Sequence, residues 1–338
     1  MKKILSILLV FSLLRLSAYA AGADSAAAAV LLHADSGEVL YAHDADKPLP
    51  MASTTKLMTA LVVLEHCPLS DTVTVSPNAV GVEGSSMYLR QGEELSVEEL
   101  LYGLMLSSGN DAAIALAEHC AGSVEVFVGM MNAKAEELGL ENTHYVNPNG
   151  LHDRQHYTTA SDLARLMREC LQNEDFCRIS GTYYAKVALR SLQNHNKLLK
   201  SCQGVFSGKT GYTKAAGRCL VSACERDGLR LICVTLRDPC DWEDHASLYD
   251  WAYSAFEPLR LEKGSVQGRI PLIGGDGETV SAVIGVGKCY CVKKGTEMQK
   301  QVFLPPFVFA PLHGERELGC LRITIGERTE KIPLFPAE

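Results

Sequence analysis

Residues 218–224 and 229–236 are two apolar segments joined through Asp227-Gly228, and this link constrains the fold more than any other feature of the chain. So short a connection makes the two strands antiparallel, because a parallel crossover needs about a dozen residues or more. A second hairpin is expected from residues 29–33 and 38–42 around Asp35-Ser36-Gly37. Helical patterns lie between and after these hairpins. Residues 54–66 place Leu57, Leu61 and Leu64 on one face, and Ser96 with Glu99 forms a capping box that opens a helix through Leu100, Leu101, Leu104 and Met105. That helix stops at Ser107-Ser108-Gly109-Asn110, and the next begins at Asp111 or Ala112. Further helices are expected over 123–138, ended by Gly139, over 161–172 and over 242–256. Helices that alternate with tight hairpins predict an α+β fold, an antiparallel sheet covered by helices.

Beyond Pro258 no helical period remains. Short alternating segments (281–286, 289–292, 321–325) are divided by Gly, Pro and Lys clusters, which predicts a small C-terminal all-β domain over 258–338. A length of 338 residues suits two such units, the larger being 21–257.

Met1, Lys2 and Lys3 precede an apolar run from Ile4 to Leu14, and Ala18-Tyr19-Ala20 supplies the small residues that a signal peptidase reads. Residues 1–20 are therefore expected to be a signal peptide and the protein to be exported. Arg15 interrupts the run, which is short for a spanning helix, so cleavage is favoured over a retained anchor. Removing Lys2, Lys3 and Arg15 would take the formal charge from -8 to about -11, which argues against a nucleic-acid partner.

Twelve cysteines in an exported chain suggest disulfides, but Cys219 and Cys233 lie in apolar stretches and read equally well as buried small hydrophobes. Cys289-x-Cys291 lacks the partner pair of a zinc site, His152 and His156 read as surface residues of a loop, and neither metal nor cofactor is expected. Trp242 and Trp251 stand at helical spacing near Tyr249 and Phe256 and read as core.

Three short motifs carry chemistry. Ser53-Thr54-Thr55-Lys56 is a Ser-x-x-Lys at a helix start, where a spacing of three residues turns through about 300° and rises about 4.5 Å, bringing hydroxyl and amine to one face. Alone it is weak, since about one such match is expected by chance and a serine at a helix start is ordinarily an N-cap. Ser108-Gly109-Asn110 follows between two helices; a second Ser-x-Asn, Ser76-Pro77-Asn78, is a turn signature. Lys209-Thr210-Gly211 either precedes the hairpin above or ends a strand leading into it. Their order supplies a nucleophile, an amine to deprotonate it, a proton relay and a cationic anchor for an anionic substrate, which is the set that acyl transfer through a serine requires. A lysine can act as base only when uncharged. Burial together with the charge of Lys209 would push Lys56 in that direction.

With their flanks, residues 51–60, 108–113 and 208–213 resemble the three active-site motifs of the low-molecular-mass penicillin-binding proteins that are D-alanyl-D-alanine carboxypeptidases. The likeness extends through Asn142–Leu151, Thr159–Ala164 and Asn194–Leu199, over roughly residues 26–256 and more loosely over the tail. The resemblance implies a β-lactamase/transpeptidase-like fold in which Ser53 attacks the carbonyl between two terminal D-alanines. Lys56 would take its proton, Ser108 would relay one to the leaving D-alanine, and Asn110 would orient the substrate amide. Lys209 and Thr210 would anchor the terminal carboxylate, while Gly211 and Tyr212 would complete the substrate strand, with the Ser53 and Tyr212 N–H groups as oxyanion hole.

The implied partners are peptidoglycan stem peptides and, as covalent inhibitors, β-lactams. Near Asn194 some relatives carry a carboxylate-binding arginine where this chain has His195, and residues 332–338 lack the basic amphipathic helix that tethers many relatives to the membrane. A secreted, wall-associated or membrane-peripheral form is expected. The rivals are a serine β-lactamase of related fold, whose Glu-x-x-x-Asn pattern is missing from residues 140–151, and a silent wall-binding protein, which would have lost the nucleophile or the lysine.

Overall fold

The structure is a computed structural model that describes residues 22–23, 25–275, 277–312 and 316–337. The expected signal segment, 1–20, lies outside the described residues. The described chain enters through the hairpin β1 (Ala28–His33) and β2 (Val39–His43), and a 3-10 turn, Ala52–Thr55, runs into α1 (Lys56–His66). A small hairpin, β3 (Thr72–Thr74) with β4 (Glu94–Ser96), precedes α2 (Val97–Leu106), α3 (Asn110–Ala121) and α4 (Val124–Glu137). Next come α5 (Ala160–Cys170), α6 (Glu174–Gly181), the hairpin β5 (Tyr184–Val187) and β6 (Arg190–Gln193), and the single turn α7 (Leu198–Ser201). The long strands β7 (Val205–Thr213), β8 (Gly217–Arg226) and β9 (Leu229–Leu236) then lead to α8 (Asp241–Ala255).

Five strands form one wholly antiparallel sheet in the order β2-β1-β9-β8-β7. Both faces are covered, and this is why β1 is buried at every residue instead of alternating. Ala28, Val30, Leu32, Val221, Ile232 and Val234 point into a core shared with α1 to α5. Their neighbours Ala29, Leu31, Leu220, Leu231 and Cys233 point into a second core with Leu248, Tyr249 and Ala252 of α8. The expected helix-covered antiparallel sheet is thus the fold observed. The capping box is also present: the Ser96 hydroxyl accepts from Glu99 N at 3.1 Å and the Glu99 carboxylate accepts from Ser96 N at 2.9 Å. All twelve cysteines are free thiols, and Cys219 and Cys233 are buried as small hydrophobes.

From Phe256 onward the described chain contains strands and turns only. β10 (Phe256–Leu261) pairs with β13 (Lys288–Lys293). β11 (Val266–Ile273), β12 (Thr279–Ile284), β14 (Met298–Phe303), β15 (Val308–Phe309), β16 (Gly319–Ile325) and β17 (Arg328–Pro336) form a sheet in the order β14-β16-β17-β12-β11-β15. These strands enclose their own core, with Leu321, Ile323, Ile332 and Leu334 at its centre. Among the described residues no single helix is long and apolar enough to cross a membrane.

Candidate active site

The three motifs converge where the helices meet the free edge of β7. Ser53 lies within the 3-10 turn and not on the α-helix proper, with Ala52 before it held at a left-handed φ of +48°. The turn is held by hydroxyls that donate back to the chain, Thr54 to Met51 O at 2.7 Å and Thr55 to Ala52 O at 2.8 Å. Ser53 caps no helix; its Oγ lies 3.0 Å from Lys56 Nζ. Lys56 is fully buried at the first position of α1, and its Nζ also reaches Asn110 Oδ1 at 2.7 Å and the Asn149 carbonyl at 2.6 Å. An uncharged amine has two N–H bonds and one lone pair. With both N–H directions taken by Asn110 and Asn149, the lone pair is left facing the Ser53 hydroxyl. Burial, and after it the charge of Lys209, hold Lys56 well below the ordinary lysine range, against the opposing pull of Asp111.

Ser108 stands in the break between α2 and α3 at a φ of +56°, buried, with its Oγ accepting from Lys209 Nζ at 3.0 Å. Asn110 is the first residue of α3, one or two positions earlier than its sequence suggested, and both ends of its amide are engaged. Oδ1 accepts from Lys56, and Nδ2 donates to the Glu83 carbonyl at 2.5 Å. In this arrangement the side chain expected to orient a substrate amide holds the lysine. Asp111 pins the segment in front of the site, accepting from Ser86 Oγ at 2.6 Å and from the backbone of Met87 and Leu89 at 3.1 and 3.0 Å.

Lys209, Thr210, Gly211 and Tyr212 lie within β7 itself, with the outer edge of that strand unpaired in the sheet. Lys209 is buried, and that burial pushes its amine down to about 7. Gly211 packs against the Ser53 turn so closely that a Cβ there would fall 3.0 Å from Ser53 N and 3.1 Å from Met51 O. The strand and the turn therefore meet backbone to backbone.

Ser53, Ser85, Ser108, Thr210, Gly211 and Tyr212 line an open cleft of about 460 Å³, together with His195, Arg218, Asp241 and Trp242. Sequence alone assigns none of Ser85, Arg218, Asp241 and Trp242 to the site. Arg218 donates to the Asp241 carboxylate and lies over the Trp242 ring, 5.3 Å from its centroid. Trp242 thus packs on the α8 core and also borders the cleft, whereas Trp251 stacks edge-on against Phe256. His195 sits exposed at the rim, and partial burial of its ring, followed by the charge of Lys209, lowers its pKa.

One sequence reading is overturned. His152 is exposed as expected, but His156 is buried behind the Ser53 turn, with Nε2 2.7 Å from Thr55 Oγ1. A further cluster of ligand-type side chains, His33, Asp35 and Cys289, lies outside the cleft. Arg230 donates to Asp35, and the charges of Arg230, Arg168 and Arg260 bear on His33, a setting that opposes a bound cation.

A family model for D-alanyl-D-alanine carboxypeptidase matches residues 17–240. The D-alanyl-D-alanine carboxypeptidase DacF of Bacillus subtilis is 35% identical over 316 residues, covering 88% of this chain and 81% of the relative. Penicillin-binding protein 5 of Haemophilus influenzae superposes with a TM-score of 0.78 at 28% identity over 93% of this chain and 97% of its own. Penicillin-binding protein 3 of Streptococcus pneumoniae, described as a peptidoglycan synthesis regulatory factor, gives 0.80 at 26% identity over 93% and 98%. The chain belongs to the D-alanyl-D-alanine carboxypeptidase family of serine peptidases, the low-molecular-mass penicillin-binding proteins. This family acts on cell-wall peptidoglycan outside the cytoplasm.

Proposed function

We propose that the chain removes the terminal D-alanine from peptidoglycan stem pentapeptides through an acyl-enzyme on Ser53, and that β-lactams acylate the same oxygen. Ser53 attacks the carbonyl, with its proton passing to Lys56; the Ser53 and Tyr212 N–H groups receive the developing oxyanion. Ser108, bonded to Lys209, hands a proton to the leaving D-alanine, and Lys209 with Thr210 draws in the terminal carboxylate. Asn110 holds Lys56 in the free enzyme and can reach substrate only by giving up one of its two amide bonds. The observation that carries this reading is the Lys56 amine, buried and 3.0 Å from Ser53 Oγ with its other directions occupied.

Water then releases the acyl group. The segment in which a β-lactamase would place its activating glutamate offers the Asn149 carbonyl to Lys56, and its one acid, Glu141, is exposed, which supports a long-lived penicilloyl enzyme. Residues 21–257 hold the chemistry in this reading, 258–338 form an appended β unit, and 1–20 direct export to the wall or the outer face of the membrane.

Ser53→Ala is expected to abolish D-alanine release from a pentapeptide, and mass spectrometry after penicillin treatment should place the adduct on the peptide that contains Ser53. Release retained by Ser53→Ala, or an adduct elsewhere, rejects the assignment.

A further inference from the structure

The loop between Val146 and His156, which lies outside the three motifs, holds the nucleophile turn and the first turn of α1 at four points. Lys56 Nζ donates to Asn149 O, and Thr59 Oγ1 donates to Pro148 O, both at 2.6 Å. Gly150, at a φ of +90°, lies so close that a Cβ would fall 2.0 Å from Ala52 O and 2.9 Å from Ser53 N. The fourth point is His156. Its Nδ1 accepts from Val146 N at 3.1 Å, which leaves the proton of the neutral ring on Nε2. Thr55 Oγ1 spends its own proton on Ala52 O at 2.8 Å, so it must accept from His156 Nε2 at 2.7 Å. A directed chain results, from Val146 N–H through the imidazole and the Thr55 hydroxyl to the carbonyl of Ala52. Ala52 is the residue held at a left-handed φ immediately before Ser53. All of these side chains are buried, and Tyr145 closes the back of the ring edge-on at 5.7 Å. Burial keeps the imidazole uncharged, lowered to about 4, so the tautomer is held across the physiological range.

We propose that His156 is a positioning residue for the reaction, holding the strained turn that presents Ser53 to Lys56 by way of Thr55. A left-handed alanine is unfavourable on its own, and it persists where surrounding bonds over-determine it. Without the imidazole donor, Thr55 Oγ1 keeps only its bond to Ala52 O, and the turn can relax toward an ordinary helical start. That motion shifts Ser53 Oγ relative to both Lys56 Nζ and the backbone of Gly211. Misplacement by about 1 Å costs roughly a hundredfold in rate.

The inference rests on Ser53 being the nucleophile, and the test separates the two. Fluorescent penicillin is used to titrate acylatable sites and then to measure the acylation rate per titrated site, with thermal midpoints recorded alongside. Peptide mapping of the adduct checks the nucleophile independently: an adduct away from Ser53 rejects the functional reading before any His156 variant is considered. His156→Leu and Thr55→Val are each expected to slow acylation per site by about tenfold or more. His156→Gln, whose amide can still donate to Thr55, should stay within about threefold of the parent. The double variant His156→Leu/Thr55→Val should be no slower than the slower single variant, because both remove one link. Acylation at the parental rate per site in His156→Leu and Thr55→Val overturns the proposal. Equal slowing in His156→Gln and His156→Leu overturns it as well, since the ring's volume and not its donor would then be what matters. If His156→Leu fails to fold, Thr55→Val and His156→Gln decide the question by the same rates.

Discussion

The seam between α1, α3 and β7 buries two lysines, Asn110, Ser108 and Asp111, and holds Ala52 and Ser108 at left-handed φ angles. The strands beyond Phe256 bury Leu261, Ile270, Ile284, Tyr290, Leu321, Ile323, Ile332 and Leu334 in a core of their own. In the second region each side chain is where its own transfer free energy would send it. In the first, several are not: a buried amine has a large desolvation cost, which fixed acceptors offset and which neutralisation largely removes. Stability and chemistry therefore pull in opposite directions in the seam, while the core of the distal strands answers to packing. Substitutions should divide along that line, with seam changes altering rate more than stability and distal changes doing the reverse.

The largest effect is expected at Lys56. Lys56→Met keeps the volume of the stem and removes the proposed base, so acylation by penicillin should fall roughly a hundred- to ten-thousandfold while the thermal midpoint holds or rises. A variant that loses most of its stability and retains its rate per titrated site would erase the contrast between the regions.

Lys209 should give a smaller loss, about tenfold or more in acylation, and a pH signature. Its folded pKa is about 7 against an ordinary 10.5, so between those values the unfolded chain holds a proton that the folded protein has released. Stability therefore rises with pH across that window and falls as pH drops toward 7, and Lys56 contributes in the same direction. Thermal midpoints measured from pH 6 to 10 should rise more steeply for the parent than for Lys209→Met. The positive charge of Lys209 also lowers Lys56. Its removal should move the acid limb of the acylation profile to higher pH, and a limb that stays put would show that burial alone tunes the base.

The same contrast explains what could be read from the chain. Features set by neighbours in sequence were legible: the Ser96–Glu99 capping box, the Asp227-Gly228 turn and the three motifs. Ser76 proved to be a turn serine, accepting from Asn78 N and Ala79 N. The hairpins β3–β4 and β5–β6 were missed because strands of three or four residues are too short to show a period. Sequence alone puts Asn110 in the connection, because nothing local shows that its N–H bonds to Ser85 O at 2.7 Å at the start of α3. The polar loop neighbours of His156 point to the surface, whereas its buried partner is Thr55, about a hundred residues earlier. The lone signal available was its place just after the Asn-Pro-Asn-Gly segment within the resemblance to the family. Lys56 could be assigned from sequence because its partner is one turn away; Asn149, which completes its environment, could not.

The smallest effect on rate belongs to the distal sheet. Leu321 is fully buried and pairs with Val302 of β14 and Ile332 of β17, so Leu321→Ala leaves a cavity among Ile323, Ile332 and Leu334. Such a truncation costs about 2–5 kcal/mol of folding stability, the higher end applying where the site cannot collapse. The strands that close this cavity hydrogen-bond to one another and not to β7, β8 or β9, so the cost should not travel along a shared ladder to the cleft. Calorimetry should show an early transition for Leu321→Ala, with the acylation rate per titrated site within about twofold of the parent below that transition. A fall in that rate before the early transition would mean that the β unit helps to set the geometry of Ser53, and the two regions would have to be treated as one.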